Sequence, residues 1–227
     1  MRVLAIDTAL EACSAAVLDT ERGSIAAHES QPLLRGHAEA LIPLIARVLD
    51  RARLTFSEID RIAVTTGPGS FTGLRVGISA ARGIALATGK PAVGLSTLAA
   101  YAAPFIAAND ALPVVAAIDA RHDHVYLQVF GPGGRTMVTP RIVPVREALR
   151  VSSTGAPRLI GTAAKILAAA WPPGERPPSS VEQRSAPDID WVARLGAAAV
   201  ETNSPPKPLY LRAPDAQPQN AAQLARR

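Results

Sequence analysis

The chain has 227 residues, 48% of them hydrophobic and 19% charged, a balance typical of a globular protein with a sizeable core. Its net charge of +5 is scattered, and only 4% of its residues are aromatic, which argues against direct base recognition by this chain alone. The single cysteine, Cys13, cannot form an internal disulfide, and Asp7 and Glu11 interrupt the first apolar run. We therefore expect a cytoplasmic protein without a membrane segment.

The first half of the chain alternates short apolar strands with helices. Three strands come first, and single strands and helices then alternate. The predicted strands span 3–7, 14–19, 25–29, 62–66 and 92–95, and the predicted helices span about 36–53, 72–88 and 97–107. This alternation predicts an α/β fold.

A glycine-rich turn joins the strand at 62–66 to the helix at 72–88. Gly67, Gly69 and Gly73 are spaced one residue too widely for a dinucleotide-binding turn, and the turn also lacks the Gly-Lys-Ser/Thr of a P-loop. Glycine turns that open helices gather N–H groups at a positive dipole end, so a phosphate contact is one alternative. The other, which the spacing favours, is a structural turn that feeds a closely packed helix.

The pattern restarts after residue 108. A strand at 114–119 ends in Asp119 as the first strand ends in Asp7, and each is followed by a partner strand. The later predicted elements are strands at 124–130, 141–145 and 159–161, helices at 163–171 and 189–201, and a proline-rich loop at 172–187. The proline-rich sequence from 204 to 227 predicts a tail that is partly extended or disordered.

This internal repeat is similar to the duplicated actin-like and sugar-kinase-like (ASKHA) fold, in which two β-β-β-α-β-α halves face each other across a cleft. The predicted halves are 1–108 and 109–203. In that fold an aspartate ending the first strand of each half commonly helps place a metal-bound phosphate, and Asp7 and Asp119 occupy these positions. Hairpin turn chemistry explains both aspartates equally well.

Two predicted helices carry long apolar surfaces. The helix at 36–53 has an apolar stripe wide enough to cover a sheet, and the helix at 72–88 is apolar nearly all round, so it needs cover on more than one side. Gly73, Gly77 and Ala81 recur on it at four-residue spacing and permit a close approach. We expect a partner protein, in preference to the chain's own sheet, as the neighbour of these small residues.

Five motifs together resemble the TsaB (YeaZ) family over nearly the whole chain. They are Leu4-Ala5-Ile6-Asp7-Thr8, Arg35-Gly36-His37-Ala38-Glu39, Gly67-Pro68-Gly69-Ser70-Phe71-Thr72-Gly73-Leu74-Arg75, Asp119-Ala120-Arg121 and Tyr210-Leu211-Arg212. The resemblance implies a non-catalytic scaffold subunit that pairs with a TsaD-type transferase and works with a TsaE-type ATPase. That machinery places a threonylcarbamoyl group on the adenosine beside the anticodon of tRNAs reading codons that begin with A. It further implies a homodimer when the chain is alone and tRNA contact through the complex.

In this family a pair of helices meets the equivalent pair of the transferase, or of a second copy, as a four-helix contact. The helices at 36–53 and 72–88 match that pair. The predicted interface consists of His37, Leu41, Leu44, Ile45, Val48, Gly73, Leu74, Arg75, Val76, Gly77, Ala80 and Ala81.

An actin-fold phosphotransferase and a glycoprotease-like peptidase are the alternatives. Metal-binding relatives carry two histidines four residues apart on the first helix, whereas Leu41 stands at the fourth position after His37. His122 and His124 lack a third clustered ligand, and Ser70 lacks the Gly-x-Ser-x-Gly frame. We therefore predict no catalytic residue, no metal and no required cofactor.

Weak ATP or ADP binding is the one ligand interaction left open. In the second half, the turn at 161–164 is the one candidate for an adenosine pocket. An ordinary strand-to-helix turn explains its sequence equally well. The predicted nucleotide or phosphate contacts are Asp7, Thr8, Gly67, Gly69, Ser70 and Asp119.

Overall fold

The computed structural model describes residues 1–109, 111–153, 155–202 and 204–212, in which the strands form two five-stranded sheets of the same topology. The first sheet contains β1 (Arg2–Asp7), β2 (Ala12–Asp19), β3 (Ser24–Pro32), β4 (Arg61–Gly67) and β5 (Ala92–Ser96), in the order β3-β2-β1-β4-β5. The second contains β6 (Val114–Asp119), β7 (His124–Phe130), β8 (Thr136–Pro144), β9 (Arg158–Ile160) and β10 (Ser180–Glu182), in the order β8-β7-β6-β9-β10. In each sheet the hairpin strands pair antiparallel and the others parallel.

Three helices follow the hairpins in each half. They are α1 (His37–Ala52), α2 (Phe71–Thr88) and α3 (Thr97–Ala108) in the first half, and α4 (Val145–Ser152), α5 (Ala164–Ala169) and α6 (Ile189–Ala198) in the second. Both halves therefore have the chain order β-β-β-α-β-α, closed by one further strand and helix. This confirms the prediction of a duplicated actin-like α/β fold. Within the described part of the chain, no helix has both the length and the apolar composition needed to cross a membrane.

The central strand β1 is buried on both faces, because alternate side chains of a strand point to opposite sides of its sheet. Leu4 and Ile6 pack in a cluster with the apolar residues of α1 and α2. Val3 and Ala5 pack on the other side, with Val192 and other residues of α6. The first sheet is therefore a middle layer between two helical layers.

The last helix of each half packs on the sheet of the other half. α6 lies on β1, β2 and β4 of the first sheet, and α3 lies against β6 of the second. Gly196 allows the approach of α6, since a Cβ at this position would lie 2.2 Å from the Cβ of Ala63. The strands before residue 108 thus form the first sheet and those after it the second, whereas α3 and α6 each contact the sheet of the other half.

Two elements of the second half differ from the prediction. α4 (Val145–Ser152) was not expected, although its buried positions Val145, Ala148, Leu149 and Ser152 have helical spacing. The short strand β10 lies inside the proline-rich stretch predicted as a loop, where parallel pairing with β9 stabilises it. Of the predicted tail, residues 213–227 lie outside the described residues, whereas residues 204–212 run without helix or strand along the end of β4.

Candidate functional site

Glycines at the start of α2 let this helix lie directly on the turn between β1 and β2. A Cβ at Gly69 would lie 2.3 Å from the carbonyl oxygen of Ala9, and one at Gly73 would lie 2.1 Å from that of Thr8. At Gly77 it would lie 2.4 Å from the Thr8 hydroxyl oxygen. Real Cβ atoms are not found this close to other heavy atoms, so a larger residue would push the turn and the helix apart.

The structure corrects the prediction that Gly73, Gly77 and Ala81 face a partner. All three are buried, and Ala81 belongs to the core cluster of the first sheet. The hydroxyl of Thr8 donates a hydrogen bond of 2.7 Å to the carbonyl oxygen of Gly73. The β1–β2 turn and the core of the first half therefore occupy the space that these small residues leave free.

The apolar stripe of α1 is also part of the core and cannot contact a partner directly. Its five predicted interface residues are buried, and so is Leu74 of α2 in addition to the three small residues: His37, Leu41, Leu44, Ile45, Val48 and Leu74. The Nε2 atom of His37 lies 3.0 Å from the carbonyl oxygen of Leu10, so this ring is held against the β1–β2 turn. Of the predicted interface, only Arg75, Val76 and Ala80 reach the surface.

Exposed residues of the same two helices form a surface that we call the outer helix face. Most of its side chains are small or apolar, and on α1 the exposed charged residues Glu39 and Asp50 lie beside it. Its residues are Ala38, Ile42 and Ala46 of α1 and Phe71, Arg75, Val76, Ser79, Ala80, Arg82, Gly83 and Leu86 of α2. Ile42 is 51% exposed and Leu86 is 87% exposed. These residues, rather than the buried stripe, are available to another protein.

Residues 204–212, which we call the strap, cross the end of β4 and reach the outer helix face. The backbone N–H of Leu209 donates a hydrogen bond of 2.8 Å to the carbonyl oxygen of Thr66. The rings of Tyr210 and Phe71 stack with centroids 5.6 Å apart. The guanidinium group of Arg75 lies 3.7 Å from the centroid of the Phe71 ring, and its Nε donates a hydrogen bond of 3.3 Å to the Tyr210 hydroxyl.

A cleft of about 740 Å³ separates the hairpin turns of the two halves. From the first half its lining includes Leu10, Glu11, Leu34, Arg35, His37, Gly69 and Ser70, and from the second Ile118, Asp119, Ala120, Arg121, Tyr126, Thr162, Gln183 and Ser185. Of the six predicted phosphate contacts, Gly69, Ser70 and Asp119 line this cleft. Asp7, Thr8 and Gly67 are buried and do not line it, so the structure does not bring the six residues together.

The side chain of Asp7 is engaged inside the first half. It accepts hydrogen bonds from the Thr65 hydroxyl and from the backbone N–H of Ala9, the latter at 3.2 Å. Its second carboxyl oxygen has no hydrogen-bond partner among the described residues. Burial raises the pKa of this carboxyl above its usual value. A carboxyl group in such a setting is a poor ligand for the metal ion of a metal-bound phosphate, because burial disfavours its charged form.

Asp119 hydrogen-bonds within its own hairpin turn, which was one of the two interpretations of this residue. Its carboxylate accepts a hydrogen bond of 2.8 Å from the backbone N–H of Arg121, and its own N–H donates one of 2.8 Å to the Thr162 hydroxyl. The neighbouring Gly161 sits so close to Ala117 that a Cβ would lie 2.3 Å from its carbonyl oxygen. The turn at 161–164 is therefore used for packing and for holding the β6–β7 hairpin.

Sequence reasoning missed several cleft residues, among them Glu11, Arg35 and Arg121. The two arginines belong to motifs that carried the family resemblance, which was the available signal. The backbone is left-handed at Arg121, His122 and Asp123, with φ of 62°, 50° and 59°. Because none of these residues is a glycine, nothing in the sequence indicated this conformation. In the part of the chain that the structure describes, no three His, Cys, Asp or Glu side chains are grouped to hold a metal ion.

Two like sheets, exchanged terminal helices and a cleft between hairpin turns define a duplicated actin-like α/β protein. A family model described as TsaD, tRNA N6-adenosine threonylcarbamoyltransferase, matches residues 31–178. The solved structure of YeaZ from Pseudomonas aeruginosa superimposes with a TM-score of 0.79 at 31% identity, covering 92% of this chain and 99% of that one. The chain belongs to the family of this model and, within it, to the TsaB (YeaZ) proteins.

Curated relatives match this chain over different lengths. The tRNA threonylcarbamoyladenosine biosynthesis protein TsaB of Escherichia coli K12 is 43% identical over 127 residues, which are 56% of this chain and 53% of that protein. An uncharacterised protein of Mycobacterium tuberculosis H37Rv is 32% identical over 95% of this chain and 94% of its own length. The chain thus spans about half the length of the curated TsaB relatives that it matches.

Proposed function

We propose that this chain is a non-catalytic scaffold subunit in threonylcarbamoyladenosine biosynthesis. In this role it pairs with a TsaD-type transferase, works with a TsaE-type ATPase and contacts tRNA through the complex. The modified position is the adenosine beside the anticodon in tRNAs reading codons that begin with A. When the partner is absent, the chain forms a homodimer through the same helices.

The outer helix face is the observation that carries this proposal. Most of its residues on the two adjacent helices are small or apolar, and Ile42 remains 51% exposed among the described residues. Exposed apolar patches of this kind mark sites of protein association. Small side chains such as Ala80 and Gly83 favour close packing against helices of a partner.

The setting of the two strand-end aspartates supports a role without catalysis by this chain. A phosphotransferase of this fold would need its two strand-end carboxylates free for a metal-bound phosphate. Here Asp7 is buried and accepts hydrogen bonds from Thr65 and Ala9, and one carboxyl oxygen of Asp119 accepts a hydrogen bond from the Arg121 N–H of its own turn. We propose accordingly that the chain requires no cofactor of its own for this role.

Depletion of the protein in its own organism tests the proposal. We expect threonylcarbamoyladenosine in bulk tRNA, quantified by mass spectrometry, to fall strongly on depletion and to return when the gene is restored. Undiminished nucleoside after complete depletion would refute the role. In parallel, the purified chain should restore activity to the transferase subunit while showing no turnover alone.

The surface itself is tested by introducing charge. We expect Ile42→Asp and Ala80→Asp to abolish co-purification with the transferase subunit, because each places a carboxylate in an apolar contact. Ala26→Asp, at an exposed position on the edge strand β3, serves as the matched control and should bind normally. Circular dichroism melting should show all three variants folded; normal binding by the folded Ile42→Asp and Ala80→Asp variants would contradict the assignment.

A further inference from the structure

The strap and the outer helix face form one continuous surface. Phe71, the first residue of α2, and Tyr210 of the strap remain 55% and 50% exposed even though their rings stack on each other. Two aromatic rings that are half exposed at the end of an apolar helix face extend that face beyond α2. Aromatic side chains with this exposure are typical centres of protein interfaces.

The strap is held in place from both ends. The backbone N–H of Leu209 donates a hydrogen bond to the carbonyl oxygen of Thr66 at the end of β4. The guanidinium group of Arg212 donates one of 3.2 Å to the carbonyl oxygen of Ala120 in the second half. Pro206 is buried beside Gly94, and a Cβ on this glycine would lie 3.4 Å from the Cβ of Pro206. Ordering a segment before binding lowers the entropy that association would otherwise lose. Tyr210 is therefore presented in a fixed position.

Two exposed arginines lie on the same face of α2. Arg75 and Arg82 are exposed and are separated by two helical turns, and neither forms an ion pair with the residues that the structure describes. Residues seven apart lie on one side of a helix. An apolar surface between two such cations fits a partner surface whose apolar centre is flanked by carboxylates.

We infer that the strap is part of the docking surface for the transferase subunit, with the Tyr210–Phe71 pair as a binding centre at its end. This inference rests on the proposed function, because it adds a second contact region to the same complex. The partner surface that fits here is apolar and bears carboxylates facing Arg75 and Arg82. A contact through the two helices alone would leave the exposed ring of Tyr210 uncovered.

Affinity measurements with the full chain and the transferase subunit of the same organism test the inference. Tyr210→Ala should weaken binding about 10- to 30-fold, as for loss of an aromatic residue at an interface centre. Tyr210→Phe keeps the ring and should change the affinity less than about threefold. Met137→Ala removes an exposed apolar side chain from β8 in the second half and should bind as the unmodified chain does.

Hydrogen exchange supplies a measurement that does not depend on a substitution. Amides of residues 204–212 should exchange more slowly when the transferase subunit is added. Unchanged exchange there, or Tyr210→Ala binding as tightly as Met137→Ala, would overturn the inference. If the inference fails but the unmodified chain binds the transferase and Ile42→Asp abolishes this binding, the proposed function stands. If the unmodified chain does not bind the transferase at all, the proposed function fails together with the inference.

Discussion

Glycines of α2 have two opposite roles, which depend on what lies beside each one. Gly73 faces the backbone of Thr8, whereas Gly83 has no heavy atom within 4 Å of the position that a Cβ would take. Both lie within the same helix, so their intrinsic helix propensity is alike. The difference between them is therefore entirely one of tertiary packing.

We expect Gly73→Ala to destabilise the fold by about 3 kcal/mol or more, because the added methyl group would force the helix away from the β1–β2 turn. Gly83→Ala should stabilise it by about 0.5–1 kcal/mol, because alanine loses less backbone entropy in a helix. Urea unfolding of the two variants measures both effects. Equal changes in the free energy of unfolding would show that the close approach at Thr8 is not real.

The buried carboxyl of Asp7 makes stability depend on pH in an unusual direction. Its pKa is raised by burial, so the folded chain holds the proton more tightly than the unfolded chain does. Ionisation then destabilises the fold as pH rises from the usual value of 3.8 through the raised one. Above the raised pKa this loss of stability is complete.

Asp7→Asn removes this titration, so its stability relative to the unmodified chain should be more favourable near pH 7.5 than near pH 4. Asp19→Asn is the control of opposite sign. Backbone N–H groups of Arg22 and Glu21 lower the pKa of Asp19, whose contribution is present above its usual pKa and lost as pH falls. Parallel pH dependence of the two variants would contradict the assignment of Asp7.

At the scale of elements, one arginine holds the end of α6 on the first sheet. Arg61 of β4 is buried and donates hydrogen bonds of 3.0 Å to the carbonyl oxygens of Gly196, Ala197 and Ala199. These carbonyls lie in the last turn of α6 and just beyond it, where helix carbonyls lack partners and carry partial negative charge. The side chain thus joins a strand to a helix more than 130 residues away in sequence.

We expect Arg61→Ala to lower the free energy of unfolding by about 2–3 kcal/mol, because it removes charged hydrogen bonds and leaves buried carbonyls unpaired. Arg22→Ala, at a side chain that is 83% exposed, should stay within about 0.5 kcal/mol of the unmodified chain. Chemical denaturation measures both. A loss no larger at Arg61 than at Arg22 would mean that the α6 terminus does not depend on this contact.

At the scale of the whole molecule, the exchange of α3 and α6 joins the two halves into one folding unit. The first sheet is covered on one face by α1 and α2 of its own half, but on the other by Ile189, Val192 and Ala193 of α6. A fragment that ends at residue 108 would expose Val3 and Ala5 of β1 to water. Exposure of such a surface is strongly unfavourable.

We therefore expect the fragment 1–108 to lack cooperative folding, whereas the full chain unfolds in a single transition. Thermal unfolding followed by circular dichroism distinguishes the two. A peptide spanning residues 183–202 should restore a cooperative transition to the fragment by supplying α6. Cooperative melting of the fragment without the peptide would show that α6 is dispensable.

Much of this protein follows from its sequence. The strand-helix order, the internal repeat from Asp7 to Asp119 and the family motifs are local or periodic signals, and they predicted the duplicated α/β fold and the family to which the chain belongs. The α4 helix and the β10 strand were not predicted, because the first is short and the second depends on a parallel partner from another part of the chain. Side-chain periodicity also identified the two helices of the candidate surface.

Only the tertiary structure decided which faces of these helices are covered. An apolar pattern shows that a helix needs neighbours but cannot name them, so Leu41, Ile45 and Gly73 were assigned to a partner although the first sheet and the β1–β2 turn cover them. The exposed side, the strap on Phe71 and the burial of Asp7 all arise from contacts between residues far apart in sequence. Such contacts depend on the positions of whole elements, and no local spacing in the chain encodes them.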